Sequence, residues 1–571
     1  MSEKKVVLNE IESWTRSYLE RLDQGKAAIL IVVVLGLFSF FSDLNLSLRD
    51  TEGMYAVIAR EMLGSNEWLH LRYEGQPYLN KPPLHFWMMG ISSFLFGQEE
   101  FGFRFPTAVA AMGTMLLVYY FGSILYNRRT GFIAAIIVAT NYDFVWYSKR
   151  ALLDTELTFF ITLALLFFFL SYRNPPKKPI YLILSFISIA LGTMIKGLLG
   201  TVLPGIVILG FLLINRKELR LRVEVPVLIG AGLIFIGITV PYYLALGEAF
   251  NRHFLLGENA HRFISGSKTY FWYFYMIFVD FFPWAFFLPS AVAFIWPHSL
   301  QKLKREDGFA LLWSVGFFLF FTIAKEKSEH FILPLIPPLA LLIARFWDYL
   351  LSSEKFYKGP YLVVPMSYLL ALVTAVGLAI APTLVYRRHG IPPNFVPIMF
   401  LILMICVCLA LIYLVYKRKP WASYAATVAL AMCFTFGLIQ YVLPVFDRYA
   451  SGKQIGLQTS AIIEGAKIAA FFLEGGEHLR EDVIFYLKLG FPLPQLKNQD
   501  ELFAYLSASE RVFCIMPRSA MLKIQGEPGF PPLYFIKEFN YGRQSLVLIS
   551  NKDATRTTID ELDIHESTYF A

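Results

Sequence analysis

Acidic and basic side chains fit for chemistry on a phosphate ester gather in the polar stretches between long apolar runs. The first stretch reads Arg49-Asp50-Thr51-Glu52-Gly53-Met54-Tyr55 and continues to Asn80-Lys81-Pro82-Pro83-Leu84. A second, Arg150-Ala151-Leu152-Leu153-Asp154, opens another apolar run. Carboxylates can orient and deprotonate a hydroxyl, and cations can stabilise a departing phosphate. Beside a membrane surface, that combination suits chemistry on a lipid-linked phosphate.

Each residue also has a simpler reading. Asp50 and Glu52 precede a helical stretch, Met54 to Leu63, where an acid satisfies free amides and the helix dipole. Asp154 has no such excuse, because it enters an apolar run where a charge costs about 2–3 kcal/mol on insertion scales. Lys81 stands beside two prolines, and Lys196 separates two apolar runs. Arg262 lies in Gly257-Glu258-Asn259-Ala260-His261-Arg262-Phe263, and Lys325 and Lys327 precede His330. Any one of these cations can snorkel to headgroups. Lys81, Lys196, Arg262 and Lys327 together are candidates for a phosphate clamp. Tyr55, Asn80, Asn259 and His330 are the candidate substrate-binding groups around them.

The elements that must position these residues follow from composition. Hydrophobic residues make up 56% of the chain and charged residues 16%; the mean hydropathy is +0.52. Such a chain is a membrane protein rather than a soluble globule. The net charge of +8 falls in short Lys/Arg clusters between apolar runs, without a basic stripe interleaved with aromatics, so nucleic acid is excluded as a partner. Cys406, Cys408 and Cys433 sit in apolar segments and Cys514 is alone in the tail, which gives neither a disulfide framework nor a metal spacing.

With about 20 apolar residues per span, spans are expected near 27–44, 104–126, 131–148, 153–172, 179–195, 198–214, 225–246, 270–297, 308–324, 331–351, 360–386, 395–416 and 421–445. That makes about 13. The run 83–97 is short and bounded by Pro82-Pro83 and Gly97-Gln98-Glu99-Glu100, so it reads as re-entrant or surface-lying. Residues 1–26 read as an interfacial or cytoplasmic helix, followed by an uncleaved anchor. With a cytoplasmic N-terminus, Arg128-Arg129, Arg173 with Lys177-Lys178, Arg216 through Arg222, Lys302 through Arg305, and Lys417-Arg418-Lys419 all fall inside. The candidate residues then share the outer face. The expected division is a transmembrane part at 1–446, with outer loop 45–103, and a small soluble α/β domain at 447–571. In that domain Val483-Ile484-Phe485-Tyr486 and Leu546 to Ile549 read as strands, and 459–474 and 499–508 as helical.

The order of an acidic pair before Tyr55-Ala56, Ala59-Arg60-Glu61-Met62-Leu63, Trp68, Gly75-Gln76-Pro77-Tyr78, Lys81-Pro82-Pro83-Leu84, Phe101 to Pro106, Asp154, Lys196-Gly197 and Pro334 to Pro338 resembles bacterial lipid-linked-sugar glycosyltransferases. These are the GT-C membrane enzymes related to protein O-mannosyltransferases and to the aminoarabinose transferase that modifies lipid A. The resemblance runs the length of the chain and is most specific at Lys81 to Leu84. It implies a polytopic helical bundle, a polyprenyl-phosphate sugar donor, an acceptor hydroxyl or phosphate on lipid A or another envelope glycan, and work on the periplasmic side of a bacterial inner membrane.

The family's acid pair lies four and three residues before the Tyr. Here Glu52 takes the second place, Thr51 the first, and Asp50 stands one position early, so either carboxylate is a candidate base, with Asp154 as the third catalytic acid. Asn80 and Asn259 replace a Glu and a His that resemble a metal site in the aminoarabinose transferase. The two changes argue against a divalent metal there and against aminoarabinose as the sugar; no cofactor is implied. Protein O-glycosylation remains open as the acceptor reaction. So do a polyprenyl-lipid flippase, which would want paired broken helices and a repeat, and a catalytically silent assembly factor.

Overall fold

A computed structural model describes residues 26–174, 177–215, 225–247, 266, 268–295, 304–352, 365–374, 376–377, 395–437, 444, 447, 451–472, 479–490, 492–524, 533–541 and 544–552. The chain divides into two compact units. One comprises residues 1–44, 67–71 and 78–443, and the other comprises 45–66, 72–77 and 444–571.

The larger unit is a helical bundle. Glu100–Leu125, Leu153–Arg173, Lys178–Lys196, Pro226–Ala245, Arg305–Ile323 and Glu329–Ser352 are long and apolar enough to cross a bilayer. Trp272–Asp280 and Trp284–Ile295 add a seventh if the pair, bent by 113°, is one span. Pro283, which has no N–H to donate, lies at that bend. Lys26–Phe41, Leu84–Phe96, Leu199–Ile214 and Ile402–Tyr416 are shorter apolar helices. Apolar side chains such as Leu209, Leu213, Leu233 and Leu244 are exposed, as expected where hydrocarbon is the solvent.

Two expectations for this unit need correction or bounding. The single span foreseen at 131–148 is two helices, Arg128–Ala139 and Tyr142–Ser148. Asn141 makes the break, because its side chain accepts the Phe144 N–H at 2.8 Å and starts the second helix. The expected helix at 1–26 and most of the span at 360–386 lie outside the described residues.

The local chemistry explains the helix that carries Asp154. Leu153–Arg173 has Asp154 and Glu156 in its first turn and Arg173 in its last, each at the end the dipole favours. The hydroxyls of Thr158 and Thr162 bond back to the carbonyls of Asp154 and Thr158, both at 2.7 Å. Buried polar groups are thereby satisfied within the helix.

The smaller unit holds a five-stranded sheet in the order Gln495–Leu496, Lys467–Phe471, Val512–Pro517, Gln544–Ser550, Tyr534–Tyr541. The first two pairings are parallel and the last two antiparallel. Phe471, Leu502, Val512, Cys514, Met516, Val547 and Ile549 form its core. Val483 to Tyr486, expected as a strand, belongs to the helix Glu481–Leu487. Two acids in the first turn and Lys488 in a left-handed conformation at the end define a helix too short to show periodicity. The helical reading of 459–474 also fails past Ile463, where the chain turns into the strand Lys467–Phe471.

Candidate active site

Asp154 is the second residue of its helix, and Lys196 is the last residue of Lys178–Lys196. The two helix ends meet, and Lys196 Nζ donates to Asp154 Oδ1 at 2.5 Å. Both side chains are 4% exposed. Each charge sits at the helix terminus that stabilises it. Gly197, at φ 67°, ends the Lys196 helix in a conformation that a side chain would strain.

Around this pair the polar and aromatic groups are specific. His330 Nε2 lies 3.9 Å from Asp154 Oδ2, and its Nδ1 is 3.0 Å from Ser328 Oγ. Tyr273 OH donates to the Ser328 carbonyl at 3.0 Å. Lys196 Nζ stands 4.6 Å from the centre of the Phe331 ring, and the Tyr147 and His330 rings are 5.5 Å apart. His330 is the more open member, at 28%.

A second buried pair ties the Lys81 segment to the Asp154 helix. His85 Nδ1 is 2.8 Å from Glu156 Oε2, and Thr107 Oγ1 donates to Glu156 Oε1 at 3.2 Å. Pro82 and Pro83 are buried, whereas Asn80 and Lys81 are half-buried. Glu156 follows Asp154 by two residues, so the same turn of helix anchors both clusters. Sequence reading missed this pair, because Leu84-His85-Phe86 passed as an apolar run. The signal was there in Glu156, a second acid in the same apolar segment.

Asp143 and Asp280 also escaped notice. Each is nearly fully buried, with one carboxylate oxygen lacking a partner among the described residues. The Asn141 side chain donates to the Asp280 carbonyl at 3.0 Å, and the Tyr142 N–H to the Phe282 carbonyl at 3.4 Å, which brings the two acids' segments together.

Lys327 is placed otherwise than expected. Its Nζ donates to the carbonyls of Phe321 at 3.2 Å, Thr322 at 2.7 Å and Ala324. It closes the C-terminal end of Arg305–Ile323, where carbonyls lack helical partners. With its three donors used on the backbone, it is a helix cap rather than part of a phosphate clamp. Asn259 and Arg262 lie outside the described residues.

The same unit holds a cavity of about 390 Å³ lined by Leu69, Leu84, Trp87, Met194, Ile238 and Tyr242, among others. Its lining is almost wholly apolar. Leu84 follows Lys81 by three residues and Met194 precedes Lys196 by two, so the cavity borders both cation-bearing segments. Trp87 is fixed by its indole N–H, which donates to the Trp68 carbonyl at 2.6 Å.

Asp50, Glu52 and Tyr55 belong to the other unit. Asp50 precedes the helix Thr51–Ser65, with its side chain 63% exposed and 2.9 Å from the Arg480 guanidinium. Glu52 is buried and accepts the Arg49 N–H at 3.2 Å. Tyr55 is buried in the same helix.

A family model described as dolichyl-phosphate-mannose-protein mannosyltransferase matches residues 80–243. An uncharacterized protein of Aquifex aeolicus is 28% identical over 436 residues, 76% of this chain and 81% of that protein. The undecaprenyl phosphate-alpha-4-amino-4-deoxy-L-arabinose arabinosyl transferase of Edwardsiella ictaluri is 29% identical over 306 residues, 52% of this chain and 54% of its own length. The crystal structure of ArnT from Cupriavidus metallidurans bound to undecaprenyl phosphate matches with a TM-score of 0.73 at 19% identity, over 92% of this chain and 98% of that one. The chain is thus similar in sequence to this mannosyltransferase family over residues 80–243 and to the aminoarabinose transferases over about half its length, and it shares the ArnT fold. Its match spans only about half the length of the Edwardsiella transferase, and the likeness to ArnT is one of fold.

Of the two positions at which the resemblance raised a divalent metal, Asn80 is half-buried and Asn259 lies outside the described residues. Asn80 offers a neutral carboxamide where a hard cation wants a carboxylate. Among the described residues no group of three His, Cys, Asp or Glu side chains is arranged to hold a metal ion.

Proposed function

We propose that this chain is an integral membrane glycosyltransferase. It moves a sugar from a polyprenyl-phosphate donor to a hydroxyl or phosphate of lipid A or another envelope glycan. The observation that carries this reading is the buried Asp154–Lys196 pair with His330 beside it, in a unit whose apolar cavity takes Leu84 from the Lys81 segment and Met194 from the Lys196 helix. Paired charges and an apolar cavity served by the same stretches of chain suit a phosphate on an isoprenoid tail. The named relatives act with undecaprenyl-phosphate-linked sugar, and the structural neighbour was solved with undecaprenyl phosphate.

In the proposed reaction Asp50 or Glu52 takes the proton of the acceptor hydroxyl as its oxygen attacks the anomeric carbon. The bond to the phosphate oxygen breaks on the opposite side, so configuration inverts and polyprenyl phosphate departs. Lys81, Lys196 and Arg262 stabilise its charge, and Asp154 holds Lys196 in place. His330, Tyr55, Asn80 and Asn259 contact the sugar or the acceptor. The location is a bacterial inner membrane with the site and the C-terminal domain periplasmic. In support, Asp154 and Lys196 lie at the helix ends opposite Arg173 and Lys178, as positive-inside charge requires.

Mass spectrometry of the lipid A, glycan and protein fractions of cells with and without the gene tests this reading. A sugar-sized mass present only with the gene, in the lipid A or glycan fraction, is expected. A mass on protein alone would make the chain a protein O-glycosyltransferase, and identical fractions would refute sugar transfer.

A further inference from the structure

We infer that the C-terminal domain is a positioning device for the acids at the start of the helix Thr51–Ser65, with Arg480 as the key positioning residue; this rests on the proposal that Asp50 or Glu52 serves as the base. Residues 45–66 share one compact unit with residues 444–571, and named bonds hold them at successive points. Ser47 donates to Asp447 through its hydroxyl at 2.7 Å and its amide at 3.2 Å. Arg49 reaches the same carboxylate at 3.0 and 3.3 Å. The Leu48 N–H donates to Tyr486 OH at 2.8 Å. Arg60 donates to the Phe485 carbonyl at 3.1 Å and covers the Phe485 ring.

Arg480 joins this scaffold to the acid itself. Its guanidinium lies 2.9 Å from Asp50 Oδ1 and 2.9 Å from Asp482 Oδ2, with a further bond from Nε to Asp482 Oδ1 at 3.2 Å. Asp482 is fully buried and accepts the Gly452 N–H at 3.0 Å. Arg480 Nη2 therefore bridges Asp50 and Asp482, while Nε holds the guanidinium on Asp482. Asp50 sits at φ 46° and ψ −123° without capping its own helix, a backbone state that a non-glycine residue holds only when its surroundings impose it. Gly53 completes the fit, since a Cβ there would come within 2.7 Å of the Asp482 backbone. Misplacing a reacting group by about 1 Å can cost on the order of 100-fold in rate.

The test uses the purified full-length chain in nanodiscs, given total lipid and glycan extract from cells lacking the gene, with sugar transfer read by mass spectrometry. Binding of undecaprenyl phosphate, followed by tryptophan fluorescence, is the second readout. Arg480→Met and Gly53→Ala are each expected to lower transfer about 100-fold while undecaprenyl phosphate affinity stays within about threefold. Arg480→Lys keeps a charge without the fork and should recover part of the loss. A purely structural role would lower thermal stability and leave transfer per folded molecule unchanged in both variants, which overturns the inference. Wild-type chain that transfers nothing would instead overturn the function on which it rests.

Discussion

Separating Lys196 from Asp154 tests the charged centre. At 2.5 Å and an effective dielectric near 20, opposite unit charges attract by about 7 kcal/mol. Desolvation of each ion offsets several kcal/mol of that. Removing one partner exposes a different quantity, the cost of a buried charge left without its counterpart, about 3–5 kcal/mol. Asp154→Leu and Lys196→Met should each destabilise the protein by that amount, because both positions are 4% exposed. The double variant leaves neither charge stranded and should return to within about 1–2 kcal/mol of wild type. Thermal unfolding in detergent, with transfer assayed on the same samples, measures both effects. The expected double variant is stable and inactive. If its instability equals the sum of the two singles, the side chains do not form a pair; if it is active, the pair is not part of the site.

Further outcomes follow from the other clusters. Glu156→Leu removes the buried acceptor shared by His85 and Thr107 and should cost about 1–3 kcal/mol, with Glu156→Gln recovering part of it in the same melting assay. Lys327→Met should lower stability by about 1–3 kcal/mol through carbonyls left unbonded and leave transfer per folded molecule intact; a selective loss of donor binding would restore Lys327 to the phosphate clamp. Burial, aided by the nearby charge of Glu61, raises the Glu74 carboxyl from 4.5 to about 7, so the folded chain holds a proton that the unfolded chain releases. That contribution is complete below pH 4.5 and lost as pH rises through about 7, worth about 1–2 kcal/mol after solvent screening. Glu74→Gln should flatten the pH dependence of melting across this window, and an unaltered slope would exclude Glu74 as its source.

Much of this was legible in the sequence for physical reasons. Burying a carboxylate in an apolar run is costly, so Asp154 stood out, whereas Lys196 read as part of a phosphate clamp and its ion pair with Asp154 emerges only in the fold. Lys327 misled because a cation beside His330 looks alike whether it meets a phosphate or the end of a helix; only the direction of its ammonium separates them. Helix breaks at Asn141 and Pro283 depend on single side chains inside otherwise continuous apolar runs. Hydropathy averages over such residues. Val483 to Tyr486 has strand-forming side chains, yet forms part of a short helix that bonds to Leu48 and Arg60 on either side of Asp50, a tertiary choice that local propensity does not carry. The Arg480–Asp50 contact joins residues more than 400 positions apart and left no local trace.

The most direct measurement is sugar transfer by the purified chain, comparing wild type with Lys196→Met and with the combined Asp50→Asn, Glu52→Gln variant in liposomes holding donor and acceptor extract. Wild type should add one sugar to an envelope lipid or glycan and release polyprenyl phosphate, and both variants should do neither while remaining folded. Undiminished transfer in the variant lacking both early acids, or movement of lipid-linked sugar across the bilayer by all three proteins without any transfer, would contradict the account.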